Sequence, residues 1–188
     1  MQPLNILGLC GSLRKDSVNR KLILEAARLL PSYAGFSIAD WRTIPPFDGD
    51  LLVKGEPTEV AVLRKQIHQA DGIFIATPEY NFSVPGVFKN VLDWVSRGSD
   101  QPFWRKPVAI LSATSGPSGG ARVQYDMRRI LLGMNAMVLQ KPEVFVGYAH
   151  EKFDADGQCK DEATRKFLND QMTSFRQWIT DIKRMQQT

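Results

Sequence analysis

Cysteine and histidine are scarce in this chain, two of each in 188 residues. Cys10 and Cys159 stand far apart and lack the close neighbours of a zinc site, so no metal is expected and both are read as free thiols of a reducing cytoplasm. His68 and His150 do not read as ligands, and His68 falls at a helical position suited to the surface or to partial packing. No apolar run approaches the ~18 residues of a membrane helix. The opening Met1-Gln2-Pro3-Leu4-Asn5 lacks a basic segment followed by an apolar stretch, so neither a membrane span nor a secretory leader is expected. Three motifs are missing as well. No Gly-Lys-Ser/Thr completes a Walker A loop, and Gly8 and Gly11 do not make G-x-G-x-x-G. The acidic residues that a phosphoacceptor receiver needs after its first strand are replaced by Cys10-Gly11-Ser12. Positive charge exceeds negative by only four, 24 Lys and Arg against 20 Asp and Glu. The basic residues are scattered rather than gathered in a stripe, so nucleic acid is not an expected partner. A mildly basic surface suits encounters with anionic small molecules.

The rest of the composition is that of one ordinary α/β domain over residues 1–188, with 43% hydrophobic and 23% charged residues. Leu4–Cys10 reads as a first strand and residues 17–30 as a helix, with Leu22, Ile23, Ala26, Ala27 and Leu30 on one face. A short strand over 36–40 and a Pro- and Gly-bearing loop over 42–57 follow. Next comes a helix over Thr58–Gln69, capped by Thr58, with Val62, Leu63, Gln66 and Ile67 inward. The fully apolar run 72–76 fits a central parallel strand covered on both faces. Ser83 and Pro85 open a third helix, where Val84, Val87, Phe88, Val91, Leu92 and Val95 recur at helical spacing. A strand over 108–114, a glycine-rich loop over 115–120, a helix over 121–134, a strand beginning at 136–140 and a closing helix over 162–183 complete the order. Right-handed crossovers then give a doubly wound five-stranded parallel sheet, order 2-1-3-4-5, with helices on both faces.

In such a sheet the carboxyl ends of strands one, three and four share one edge. The first loop, Gly11-Ser-Leu-Arg-Lys-Asp-Ser-Val-Asn19, combines a tight turn with the short hydrogen-bonding side chains of Ser12, Ser17 and Asn19, the cationic fork of Arg14 and a helix N-terminus. That is an anion site of phosphate type. The second, Thr77-Pro-Glu-Tyr-Asn-Phe82, is stiffened by Pro78, which fixes the backbone N–H groups that follow. A flat polar heterocycle needs such donors and a wall to lie against. The third, Ser115-Gly-Pro-Ser-Gly-Gly120, supplies an opposite wall whose Gly116, Gly119 and Gly120 are expected to permit close approach of a ligand.

These segments, with Lys89-Asn-Val-Leu-Asp-Trp94 and Gly119-Gly-Ala-Arg122, resemble the NAD(P)H-dependent FMN reductase family, and within it the bacterial chromate and quinone reductases, which are flavodoxin-like. The resemblance implies that Ser12, Arg14, Ser17, Val18 and Asn19 hold the FMN phosphate. Pro78, Glu79, Tyr80 and Asn81 would contact the ring and ribityl chain, and Ala113, Thr114, Ser115 and Gly116 would add backbone or hydroxyl contacts. It implies NADPH or NADH as donor and a homodimer or homotetramer, with Trp94, Arg122 and Tyr125 as either interface or packing residues. The expected reaction is a ping-pong, two-electron reduction of quinones, flavins or oxyanions such as chromate. No catalytic side chain is needed, because the cofactor carries the chemistry. Glu79 is expected mainly to place its backbone, with its carboxylate turned to solvent or a neighbouring subunit. A flavodoxin-type carrier, whose surface would be acidic, and a flavin-dependent redox sensor remain the alternatives.

Overall fold

The computed structural model describes residues 4–187; Met1–Pro3 and Thr188, on which part of the expectation about a leader rests, lie outside the described residues. Along the chain run β1 (Leu4–Cys10), α1 (Val18–Arg28), β2 (Ala34–Ile38), α2 (Gly49–Lys54), α3 (Thr58–Gln69), β3 (Gly72–Thr77) and α4 (Gly86–Val95). After them come β4 (Pro107–Ala113), α5 (Ala121–Gly133), β5 (Met137–Val138), β6 (Val144–Val146), α6 (Ala149–Lys152) and α7 (Glu162–Gln187). All strand pairs are parallel, in the order β2-β1-β3-β4-β5, with β6 also paired to β4.

The sheet is covered twice because its central strands are almost wholly apolar, Thr77 and Ser112 near their carboxyl ends excepted, while successive side chains point to opposite faces. Every residue of β3 and β4 is buried. Leu7, Leu9, Ile73, Ile75, Val108 and Ile110 pack on one side with Leu63 and Ile67 of α3, Phe88 and Trp94 of α4, and Met127 and Leu131 of α5. Ile6, Phe74, Ala109 and Leu111 pack on the other with Leu22 and Ile23 of α1 and with Leu168, Phe175 and Ile179 of α7.

Three details depart from the sequence reading, and Trp94 takes the packing side of the two alternatives open to it. The fifth sheet position is shared by two short strands, β5 against Pro107 and Val108 and β6 against Leu111, Ser112 and Ala113. Buried Gln171 of α7 bridges the break, its side-chain Nε2 donating to Ile110 O at 3.2 Å and Pro142 O at 2.9 Å. Helix α2 lies inside the region read as loop, started by the Asp48 carboxylate accepting from Asp50 N at 2.8 Å. In α3, Pro57 takes the cap position and Thr58 is the first helical residue; Val62 is exposed, whereas Arg64 turns inward to donate to the Val95 and Arg97 carbonyls. Trp94 is a core residue, fully buried, with its indole N–H donating to Pro45 O at 2.8 Å. Among the described residues no helix is long and apolar enough to cross a membrane.

Candidate active site

Strand register brings the three loops together. Cys10 lies beside Ala76, and Thr77 beside Ser112. The β1–β3 ladder continues one step into the first loop, where Gly11 N donates to Ala76 O at 2.8 Å. Position 11 must be glycine, because a Cβ there would sit 2.5 Å from Thr77 Oγ1 and 3.0 Å from Phe88 Cδ1. The bare backbone therefore lets the phosphate-type loop turn directly over the end of β3.

Between the loops lies a cavity of about 330 Å³. Its walls include Ser12, Arg14, Ser17, Val18 and Asn19 from the first loop, Pro78, Glu79 and Tyr80 from the second, and Ala113, Thr114 and Ser115 from the third. Asn81 and Gly116 are not on its wall. Asn81 sits with Phe82 at the tip of a two-residue turn, both at positive φ (50° and 68°), closed by Tyr80 and Ser83 exchanging backbone hydrogen bonds at 3.0 Å. The C=O of Gly116 accepts from Tyr148 N and Thr114 Oγ1. Gly119 and Gly120 serve packing rather than ligand approach. Both have positive φ, and a Cβ would meet the Phe145 backbone at 2.7 Å or Ser112 Cβ at 2.8 Å.

The cavity wall is rich in uncommitted donors at one end. Ser17 caps α1, its Oγ accepting from Arg20 N at 3.3 Å, which leaves the first-turn N–H groups of Val18 and Asn19 without an acceptor among the described residues. The Arg14 guanidinium makes no hydrogen bond or ion pair there either. Free helix N–H groups, a hydroxyl and an unpaired guanidinium at one point constitute a phosphate cradle. The Cys10 thiol, close behind the loop, is pushed up by burial and stays protonated, so it offers no nucleophile.

Two predicted side chains are spent elsewhere. Asn19 is buried and spans the sheet edge, its Nδ2 donating to Ala113 O and its Oδ1 accepting from Ala113 N, both at 2.9 Å. Asn19 therefore faces the cavity with its backbone N–H, and the backbone of Ala113 is fully occupied. Glu79 overturns the expectation of a solvent-turned carboxylate. Its side chain is 7% exposed and accepts from Arg122 Nε at 2.7 Å and Val123 N at 3.2 Å. It caps α5 from outside, at the positive end of the helix, while Arg122 also lies over the Phe82 ring at 4.0 Å. Loop two is thereby latched to α5. Because Arg122 is half-exposed, the ion pair is screened and the cap dominates. Glu79→Ala is expected to lower stability by about 1–2 kcal/mol and Arg122→Ala by about 0.5 kcal/mol; chemical denaturation giving equal losses would refute the capping role.

The sequence reading missed a fourth loop. Strand β6 delivers residues 147–153 to the same edge, where Ala149 N donates to Thr114 O, and His150 and Phe153 join Asp16 and Lys21 on the cavity wall. The only signal was the Val-Phe-Val pattern after Pro142.

Residues 4–151 match the family model described as NADPH-dependent FMN reductase. The chain belongs to this family. It is 43% identical to the quinone reductase of Escherichia coli K12, over 97% of this chain and 98% of that protein. To the NAD(P)H-dependent FMN reductase of Pseudomonas aeruginosa it is 39% identical, over 96% and 97% of the two chains. Its fold superposes on FerB, the flavoenzyme NAD(P)H:(acceptor) oxidoreductase from Paracoccus denitrificans, with a TM-score of 0.87 at 32% identity, covering 95% of this chain and 98% of that one. As an FMN reductase family member the chain is an NAD(P)H-dependent oxidoreductase with FMN as cofactor. The donor set at the first loop fits a phosphate monoester, and the slot between Pro78–Tyr80 and Thr114–Ser115 suits a flat ring.

Proposed function

We propose that this FMN reductase family member is an NAD(P)H:quinone oxidoreductase working in the cytoplasm as one flavin-binding domain per subunit of a homodimer or homotetramer. The observation that carries the reading is a single cavity with a phosphate cradle at one end and a proline-stiffened backbone at the other. The 43% identity to a quinone reductase supports the acceptor class.

FMN, when bound, would supply the redox chemistry, a two-electron transfer from the nicotinamide to a quinone that takes up two protons, one carried with the hydride and one from solvent. The protein binds and orients. Ser12, Arg14, Ser17 and the N–H groups of Val18 and Asn19 neutralise and fix the phosphate. Tyr80 N is held by the turn (to Ser83 O at 3.0 Å), so Glu79 N is the donor this loop leaves for the ring. Asn81 and Gly116 support the turns at either side. The Glu79 cap on α5 keeps that donor at a fixed height, and preorganised N–H groups stabilise negative charge without rearranging.

Donor and acceptor use one slot in turn in this reading, so plots of reciprocal rate against reciprocal quinone at several NADPH concentrations are expected to be parallel, with one hydroquinone formed per donor oxidised. Free flavins and chromate are further acceptors. Negligible NAD(P)H oxidation by the flavin-loaded protein with every quinone tried would instead identify an electron carrier or sensor.

A further inference from the structure

A second cavity, of about 450 Å³, lies on the other side of the first loop and shares Ser12 and Arg14 with the first. Its volume is within the range of about 300–1,000 Å³ usual for small-molecule sites. It is built where β1 and β2 end. Four cationic side chains line it, Arg14, Lys15, Arg20 and Arg42, against the single carboxylate of Asp40. Arg42 is held by that carboxylate through Nε at 2.9 Å and Nη2 at 2.6 Å. The Lys15 and Arg20 side chains make no hydrogen bond or ion pair among the described residues, and Arg20 adds only its charge to the field that Arg42 sets on Asp40. The remaining wall is apolar and fixed. Trp41 is buried, donates to Cys10 O at 3.1 Å and packs on Phe88 at a ring distance of 5.5 Å, with Ile38 and Ala39 beside it.

We propose that this cavity receives the adenosine 2′-phosphate end of NADPH and so selects NADPH over NADH. The inference rests on the flavin reading above, in which Arg14 is already committed to FMN and the nicotinamide lies in the neighbouring slot. A dinucleotide donor has a flat ring at one end and an adenosine at the other. Only NADPH carries a phosphate monoester on that adenosine. Two uncommitted cations beside an apolar wall match a dianionic group on an aromatic base, whereas NADH presents a hydroxyl that leaves both cations without a counter-charge. The two cavities share Ser12 and Arg14 in their walls, so they flank the first loop as neighbours.

The test uses flavin-loaded enzyme with a benzoquinone acceptor, and separately measures binding of 2′,5′-ADP and 5′-AMP by calorimetry. Wild type is expected to prefer NADPH over NADH in kcat/KM by roughly tenfold or more, and the double variant Lys15→Ala/Arg20→Ala to lose that preference by roughly 10–100-fold with NADH kcat/KM and flavin content unchanged. Asp40→Asn removes the only carboxylate in the cavity and is expected to tighten 2′,5′-ADP severalfold. Equal use of both donors by wild type, an equal fall with both donors in the double variant, or 2′,5′-ADP binding untouched by it would overturn the proposal. Failure of the flavin reading shows differently, as a protein that takes up no FMN. The calorimetric arm needs no turnover and reads the second cavity in that case too.

Discussion

Arg14→Ala/Ser17→Ala is expected to purify as a folded, colourless protein. The Arg14 guanidinium makes no hydrogen bond or ion pair within the described chain, so its removal takes away a ligand contact and leaves the fold alone. Ser17 has two duties, since its Oγ also caps α1 through Arg20 N; that loss costs about 1 kcal/mol of stability. A charge-assisted hydrogen bond to phosphate is worth about 1.5–3 kcal/mol. Losing Arg14 together with the Ser17 hydroxyl should weaken FMN by roughly a hundredfold to a thousandfold at about 1.4 kcal/mol per factor of ten. Ser17→Thr keeps a capping hydroxyl and should retain flavin, which separates the cap from the ligand contact. Flavin content is read from absorbance after extensive dialysis and folding from circular dichroism. Full occupancy in the double variant would place the phosphate elsewhere.

Asn19→Ala is expected to be the most destabilising single change at the site. One amide closes two hydrogen bonds to Ala113, 94 residues away in sequence, in a buried position. Truncation leaves a backbone N–H and a C=O buried without partners, at about 1–3 kcal/mol each, or about 2–5 kcal/mol together against a typical total of about 5–15 kcal/mol. Asn19→Asp retains the acceptor for Ala113 N but sets a carboxylate against Ala113 O, so it should not rescue. Urea unfolding with an unchanged slope and a midpoint shift of under about 0.5 kcal/mol in free-energy terms would remove this tie from the account. Because Asn19 joins the first loop to the third, the variant should also bind FMN less tightly in proportion to the freedom gained by residues 113–116.

Much of this architecture was legible because its central strands are apolar at nearly every position. A run such as Gly-Ile-Phe-Ile-Ala has few other places to go, and the order of such runs dictates which loops meet. The fifth strand was read where β5 lies, but β6 beside it was not legible, since three residues are too few to show a period. Helix α2 hid among prolines and glycines, although Asp48 announced its start. At the site, eleven of the thirteen expected residues surround one cavity. What escaped were partnerships. Nothing local tells that Asn19 answers to Ala113, or that the Glu79 carboxylate finds Val123 N, 44 residues on. His150 and Phe153 escaped for the same reason, being carried to the cavity by a strand too short to recognise.

The interrupted strand at the β5–β6 side has a consequence for how copies of this protein can meet. An outer strand that is long, flat and unbroken offers foreign chains a template of free amide groups. Here the outermost row is cut into pieces of two and three residues, and a helix amide fills the gap. That margin gives an incoming segment no register to follow, so fibre-like growth from it is blocked.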